Sequence, residues 1–231
     1  MKKMTLYIGT ALLMSSLFGC GTTAKEIQAR SQSEMSDVFT EVKGGGMIPQ
    51  GFADLLIKAN IKTHIEGYYI LESKESRHGK QGYPFVFNID GQAVEWKVDG
   101  VKDIKPAYDA DGKTSRDPEA RKGFKYVLEK KLRLHAGTHK VFFGLPEDNY
   151  STEVEISLKE GETNTLEFKP IYILEFKPIY RTKRIPTRIP TFMKGIDKYE
   201  VFLNDKQVFL NKFSESRPSE QSRPSGTPLR F

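Results

Sequence analysis

Hydrophobic and polar residues alternate with period two from Ala53 to Glu66. Leu55, Ile57, Ala59, Ile61, Thr63 and Ile65 fall on one side, and Lys58, Asn60, Lys62, His64 and Glu66 on the other. This pattern predicts a long half-buried strand, because successive side chains of an extended backbone point to opposite faces. Tyr68-Tyr69-Ile70-Leu71 is expected to continue the strand beyond Gly67, and Ser73 to Gly82 reads as a polar loop. Phe85, Phe87 and Ile89 then alternate up to Asp90-Gly91, and Val94, Trp96 and Val98 alternate after it. Asp-Gly between two such runs predicts a hairpin with a two-residue turn. Asp99-Gly100 marks another turn, and Lys102 to Lys122 reads as an inserted polar loop. Phe124 to Leu134 resumes strand character, and Lys140 to Phe143 is expected to pair back after a turn at Gly137. Val154, Ile156 and Leu158 point inward, Glu160-Gly161 turns, and Thr163 to Phe168 returns. A last hairpin runs from Tyr199 to Leu210 around Asn204-Asp205. The fold class expected from these runs is mainly β, an antiparallel β-sandwich built from hairpins.

Short duplications interrupt this plan. Leu166 to Ile173 is followed by Leu174 to Arg181 with seven of eight positions identical. Arg184 to Thr187 recurs as Arg188 to Thr191, and Ser216 to Ser219 as Ser222 to Ser225. These periods are far shorter than a solenoid unit. An eight-residue insertion keeps the alternation in phase, so neither face of a strand is inverted. Pro170 and Pro178 cannot donate ladder hydrogen bonds, which puts this region at a sheet edge or beyond it.

The N-terminus has a different pattern. Met1-Lys2-Lys3 is basic, Met4 to Phe18 is apolar or small, and Leu17-Phe18-Gly19-Cys20 closes the run. That is the architecture of a secretory signal. It is too short for a comfortable membrane span, which takes about 20 residues. The junction resembles a bacterial lipoprotein signal with its lipobox. The resemblance implies cleavage before Cys20, acylation of Cys20 with diacylglycerol and palmitate as the first mature residue, and anchoring to a membrane. The alternative is an ordinary secretory signal with an incidental cysteine. The organisation expected is a signal peptide over 1–19, a lipidated flexible tether over 20–46, a β-rich domain over 47–213 and a disordered Ser-Arg-Pro tail over 214–231. Within the tether, Val38, Phe39 and Val42 are the residues suited to docking as a short element.

Composition narrows the picture. Fifteen Phe and ten Tyr lean toward β-structure. The single cysteine leaves no disulfide within the chain, so packing must supply the stability. The formal charge of +6 includes Lys2 and Lys3, so the mature chain is nearer +4. That mild excess suits anionic lipid or wall polymer and does not argue for nucleic acid.

Leu132-Arg133-Leu134-His135-Ala136-Gly137-Thr138-His139-Lys140-Val141, with Val154 to Leu158 and Glu160-Gly161, resembles the later strands of PEGA-type domains. The Asp90-Gly91 hairpin resembles the opening strands of the same family. The resemblance covers about residues 83–171, with 99–122 as an insertion, and the naming Pro-Glu-Gly-Ala stretch is missing. It implies a small non-catalytic β-sandwich module of the cell envelope and supplies no site residues.

Candidate chemistry is sparse. His135 and His139 are four apart, but Gly137 between strand-like flanks argues for a turn rather than a ligand-bearing helix. Asp109, Asp111, Asp117 and Glu119 have a calcium-loop flavour without the closing Glu of an EF-hand, so a solvated turn is expected. There is no G-x-S-x-G stretch, and the sole cysteine is the anchor, so nucleophilic hydrolysis has no motif. Trp96 is in phase with Val94 and Val98, which favours a core role over ligand stacking. Arg181, Lys183, Arg184, Arg188 and Lys194, interleaved with Tyr180, Ile185, Ile189 and Phe192, are the candidate contacts to an anionic surface; the alternative is a solvated connector.

These observations lead to the expectation of a lipid-anchored, non-catalytic binding or structural module. It would be held by Cys20 on a cell-envelope membrane, without cofactor or metal. Peptidoglycan or an envelope protein is the expected partner, and Gly21 gives no inner-membrane retention signal. In a host with an outer membrane, its periplasmic face is the expected location. The alternatives are an accessory subunit of an envelope secretion or assembly complex, and a weak envelope hydrolase with no visible motif.

Overall fold

The computed structural model describes residues 23–103, 108, 110–113, 115, 117–177 and 187–208. The elements are α1 (Thr23–Arg30), β1 (Phe39–Glu41), β2 (Phe52–Thr63), β3 (Tyr83–Ile89), β4 (Gln92–Val98), β5 (Val101–Asp103), β6 (Gly123–His135), β7 (Gly137–Leu145), β8 (Tyr150–Leu158), β9 (Thr163–Tyr172), β10 (Leu174–Lys177), β11 (Thr187–Pro190), β12 (Ile196–Leu203) and β13 (Lys206–Val208). Short 3-10 helices lie at Pro146–Asp148 and Phe192–Lys194. The chain is mainly β and mostly antiparallel, as its alternation predicts. Among the described residues, no helix is long and apolar enough to cross a membrane.

Two sheets face each other across one core. The larger runs β1-β6-β2-β9-β12-β13, with β5 also on β6; the smaller runs β4-β3-β7-β8. Leu55, Ile57, Ala59 and Ile61 from β2 meet Phe85, Phe87 and Ile89 from β3 and Val141, Phe143 and Leu145 from β7 in that core. Trp96 is buried with them and donates its indole N–H to Glu41 Oε1 at 2.7 Å, so its core role stands.

Both predicted two-residue hairpin turns form. Asp90 and Gly91 have φ of 48° and 94°, and Asn204 and Asp205 have 48° and 62°. Positive φ at both central residues matches the right-handed twist of the flanking strands. The strand partners differ from the sequence reading elsewhere. β7 does not pair back onto β6; it crosses at Gly137 (φ 136°) into the smaller sheet, between β3 and β8. β9 likewise leaves β8 and enters the larger sheet, parallel to β2 and antiparallel to β12. Hydrophobic period sets which face is buried, not which strand lies alongside. The strands of 83–171 thus serve both sheets, and β2 separates β6 from β9.

Tyr68-Tyr69-Ile70-Leu71 does not extend β2. The chain turns at Gly67 (φ 76°), and Ile70 and Leu71 are 99% and 98% exposed. The flexible tether expected over 20–46 is corrected for residues 23–42. α1 buries Ile27 against Val86 and Phe142 on the outer face of the smaller sheet. Gln92 then accepts from the backbone N–H groups of Val38 and Phe39, at 2.7 and 3.1 Å, and β1 pairs with β6. Two buried apolar residues, Ile27 and Phe39, and a few hydrogen bonds dock a segment whose composition is polar.

Pro170 sits where its missing N–H is tolerated. Pairing of β9 with β2 ends at Ala59↔Phe168, so Pro170 has only β12 beside it. Tyrosine hydroxyls serve the β2 groups beyond that point. Tyr199 donates to Asn60 O at 2.9 Å, and Tyr172 accepts from Lys62 N–H at 3.0 Å. The second copy of the duplicated segment forms β10, which pairs with β11 in a separate two-stranded sheet. Pro178 and the tail from Ser214 lie outside the described residues.

Asp54 on β2 is fully buried on the outer face of the larger sheet. Its carboxylate accepts from Arg133 Nε at 2.8 Å and Nη2 at 3.3 Å and pairs with Lys131 Nζ at 2.9 Å. The Arg133 hydrogen bonds hold its carboxyl below the usual carboxylate range; burial opposes this, and Lys131 adds to it. A carboxyl with a lowered folded pKa contributes stability above its unfolded value of about 3.9 and loses it as pH falls through the folded value. Asp54→Asn is therefore expected to lower stability by about 1.5–3 kcal/mol near neutrality, with the variant and wild type converging in acid. Urea unfolding across pH checks this. An undiminished gap at low pH would show that the ion pair is not its source.

Candidate functional site

The loop of residues 64–82, between β2 and β3, folds over one end of the sandwich. Three contacts fix it there. The Tyr69 hydroxyl donates to Met193 O at 2.6 Å, Arg77 N–H to Glu147 Oε2 at 3.1 Å, and the Tyr126 hydroxyl bonds the carbonyls of Arg77 and Lys80, each at 2.8 Å. Beneath the loop opens a cleft of about 620 Å³, walled by Ile61, Tyr69, Tyr172, Phe192, Met193 and Lys194.

At the loop-side wall, two histidines face one carboxylate. Glu72 Oε1 lies 3.4 Å from His64 Nε2 and 3.3 Å from His78 Nδ1, and Ser76 Oγ donates to it at 2.7 Å. The far ring nitrogens are held too. His64 Nδ1 is 3.1 Å from Ile65 O, and His78 Nε2 is 3.4 Å from Asp148 Oδ2. That same Asp148 oxygen accepts the Tyr83 hydroxyl. The side chains of His64, Glu72, His78 and Asp148 are 8, 16, 18 and 10% exposed. Burial pulls the His78 pKa down, but Asp148, then Glu72 and Glu147, outweigh it and raise it above the usual histidine value. Burial pushes the Tyr83 hydroxyl well up, and the adjacent Asp148 charge reinforces this. His64, Glu72 and His78 each offer one ligand atom within 4.8 Å of the others, so these three could hold a metal ion.

Deeper in the cleft, Lys62 has a fully buried side chain. Its ammonium pairs with Asp103 Oδ2 at 2.7 Å, donates to Glu119 O and lies over the Phe192 ring. Glu119 is itself tied to Lys125 and to the Tyr172 hydroxyl, at 2.6 and 2.9 Å. These contacts tie Glu119 into an ion-pair network.

Of the residues singled out from sequence, Cys20, Arg181, Lys183 and Arg184 lie outside the described residues. Arg188 is on β11 and exposed, while Lys194 sits on the cleft wall. Arg188 is not among the residues that wall that cleft. His139 bonds Asp90 at 2.7 Å and His135 O at 2.8 Å, and His135 stacks on Phe52. His64 and His78 were missed. His64 falls on the polar side of the alternation, yet β2 ends at Thr63 and the ring turns inward. His78 and Glu72 sit in a stretch whose only sequence signal is polarity. The chain matches no protein-family model, no curated protein and no solved structure.

Proposed function

We propose that the chain is a bacterial lipoprotein, held by a lipid on Cys20, that works as a non-catalytic binding module with its cleft end toward the membrane. The direction of α1 carries this reading. Glu26 meets Ser151, and Arg30, four residues later, meets Glu153. The N-terminus of α1 thus points to the end of β8 where Tyr150 and the cleft-lining Asp148 lie. Thr23 follows Cys20 by three residues in the sequence, which makes a short leash rather than a long tether. The exposed Tyr68-Tyr69-Ile70-Leu71 loop stands at the same end, as an apolar tip suits a lipid interface. Lys194 adds positive charge for anionic headgroups or wall polymer.

The test places an environment-sensitive fluorophore on Leu71→Cys or Asp205→Cys in the lipidated protein, bound to anionic vesicles. Emission from position 71 is expected to shift blue on binding, and emission from position 205, at the opposite end, to stay unchanged. Equal behaviour at both positions would sink the end-on arrangement, and unchanged membrane association of Cys20→Ser in cells would sink the anchor.

A second reading, an accessory subunit of an envelope assembly, draws on β10 and β11, which among the described residues pair with each other alone and offer edges to another strand. It predicts capture of a stoichiometric protein partner that persists at high salt.

A further inference from the structure

We infer that His64, Glu72 and His78 form a binding site for one divalent transition-metal ion of the zinc class. The inference is independent of the membrane reading and rests on the geometry of the cluster. A backbone carbonyl and an ionised carboxylate only accept hydrogen bonds. Ile65 O therefore requires the proton of His64 on Nδ1, and Asp148 requires that of His78 on Nε2. In the neutral tautomers that keep these two bonds, His64 Nε2 and His78 Nδ1 carry lone pairs. Both face Glu72 Oε1, which is a third lone-pair donor. Three lone-pair donors converging on one point are an arrangement that a bound cation would fill.

The spacing suits the metal. Zinc binds imidazole nitrogen and carboxylate oxygen at about 2.0–2.1 Å in tetrahedral geometry, which separates neighbouring ligand atoms by about 3.3–3.4 Å. The two histidine-to-Glu72 distances are 3.4 and 3.3 Å. The surroundings suit it as well. A metal-bound histidine usually donates its other N–H to a carboxylate or backbone carbonyl, which fixes the ring and raises its basicity. His78 has Asp148, steadied by Tyr83, and His64 has Ile65 O. The charge is also right. Among the described residues, Glu72 and Asp148 have no Lys or Arg ion-pair partner, and the nearby Lys62 is already engaged by Asp103. All three ligands line the cleft, so a fourth ligand could reach the ion from it. Three protein ligands with one open position can hold an exogenous anion or water.

The experiment is a titration of the full chain with zinc and with cobalt(II). It is purified without a histidine tag and carries Cys20→Ser so that no thiol competes. One ion per chain is expected, with the visible absorption of four-coordinate cobalt. His64→Asn and His78→Asn should each weaken binding by roughly 100-fold or more, and Asp148→Asn, which removes only the outer partner of His78, by about 10–100-fold. Circular dichroism shows whether each variant folds. Proton NMR of the unsubstituted histidines provides a reading that needs no ligand variant: zinc should shift the rings of His64 and His78 and leave His135 and His139 in place. Absence of binding, histidine variants that bind as tightly as their parent, or shifts confined to His135 and His139 would overturn the site.

Discussion

Truncating Phe143 to alanine is expected to cost about 3–5 kcal/mol of folding stability. Phe143 lies on β7 in the smaller sheet, but its neighbours come from both. Its ring centroid is 4.6 Å from Phe168 on β9, 4.9 Å from Tyr199 on β12 and 5.0 Å from Phe87 on β3. Loss of the ring removes buried apolar area and several aromatic contacts at once. The neighbours are held in hydrogen-bonded strands, so the cavity cannot close by collapse. Phe143→Leu should cost less than Phe143→Ala, since it restores most of the volume. Val127, 58% exposed on β6, is the matched control: Val127→Ala should stay within about 0.5 kcal/mol of wild type. Equilibrium unfolding in urea measures all three. A small loss at Phe143→Ala would mean that the sheets are not locked together through this ring.

Replacing Gly79 with alanine is expected to dislodge the loop over the cleft. Gly79 has φ of +72°, and a Cβ there would lie 2.1 Å from Glu66 N and 2.6 Å from Ile65 C. The φ alone costs a non-glycine residue about 1–3 kcal/mol. The overlap is with backbone, so no side-chain rotation relieves it, and the loop must move. His78 is the preceding residue and would be carried away from Glu72 and Asp148. The sandwich beneath should persist, because β2 and β3 are held by their own partners. Gly82→Ala is the comparison: its φ is +76°, but nothing lies within 4 Å of the added carbon. Limited trypsin digestion should cut Gly79→Ala faster at Arg77 and Lys80 than it cuts Gly82→Ala. Equal rates for the two variants would show that the close approach to Glu66 does not hold the loop.

The sequence was informative where local chemistry decides the outcome. Alternation marked β2, β8 and the buried faces of β3 and β4, and Asp90-Gly91 and Asn204-Asp205 marked their turns. It was silent where a distant partner decides. Nothing around Gly137 or Gly161 tells a hairpin from a crossover between sheets, since both need a turn and both preserve the alternation. α1 carries one buried apolar residue, Ile27, so it shows no apolar stripe to distinguish it from a linker. Tyr68 to Leu71 reads as strand by composition, yet Ile70 and Leu71 are almost fully exposed. His64, Glu72 and His78 span a loop, and their meeting depends on Asp148, Tyr83 and Met193, which come from three other parts of the chain. No periodicity records such a convergence.

The parallel pairing of β2 with β9 has a kinetic consequence. Asp54 cannot meet Thr163 until nearly the whole chain between them has been made and arranged. Contacts this far apart in sequence carry a large loop-closure cost before they repay it, so the chain belongs with slow, high-contact-order folders, on the millisecond-to-second scale. Until then β2 can pair with β6 alone, across β3 to β5, and its other side stays open from Asp54 to Ala59. The most apolar strand of the larger sheet therefore passes through a stage with a bare edge, exposed to pairing with another copy of the chain. β9 ends that exposure when it docks, and the rate of its arrival sets how long the nascent protein needs protection.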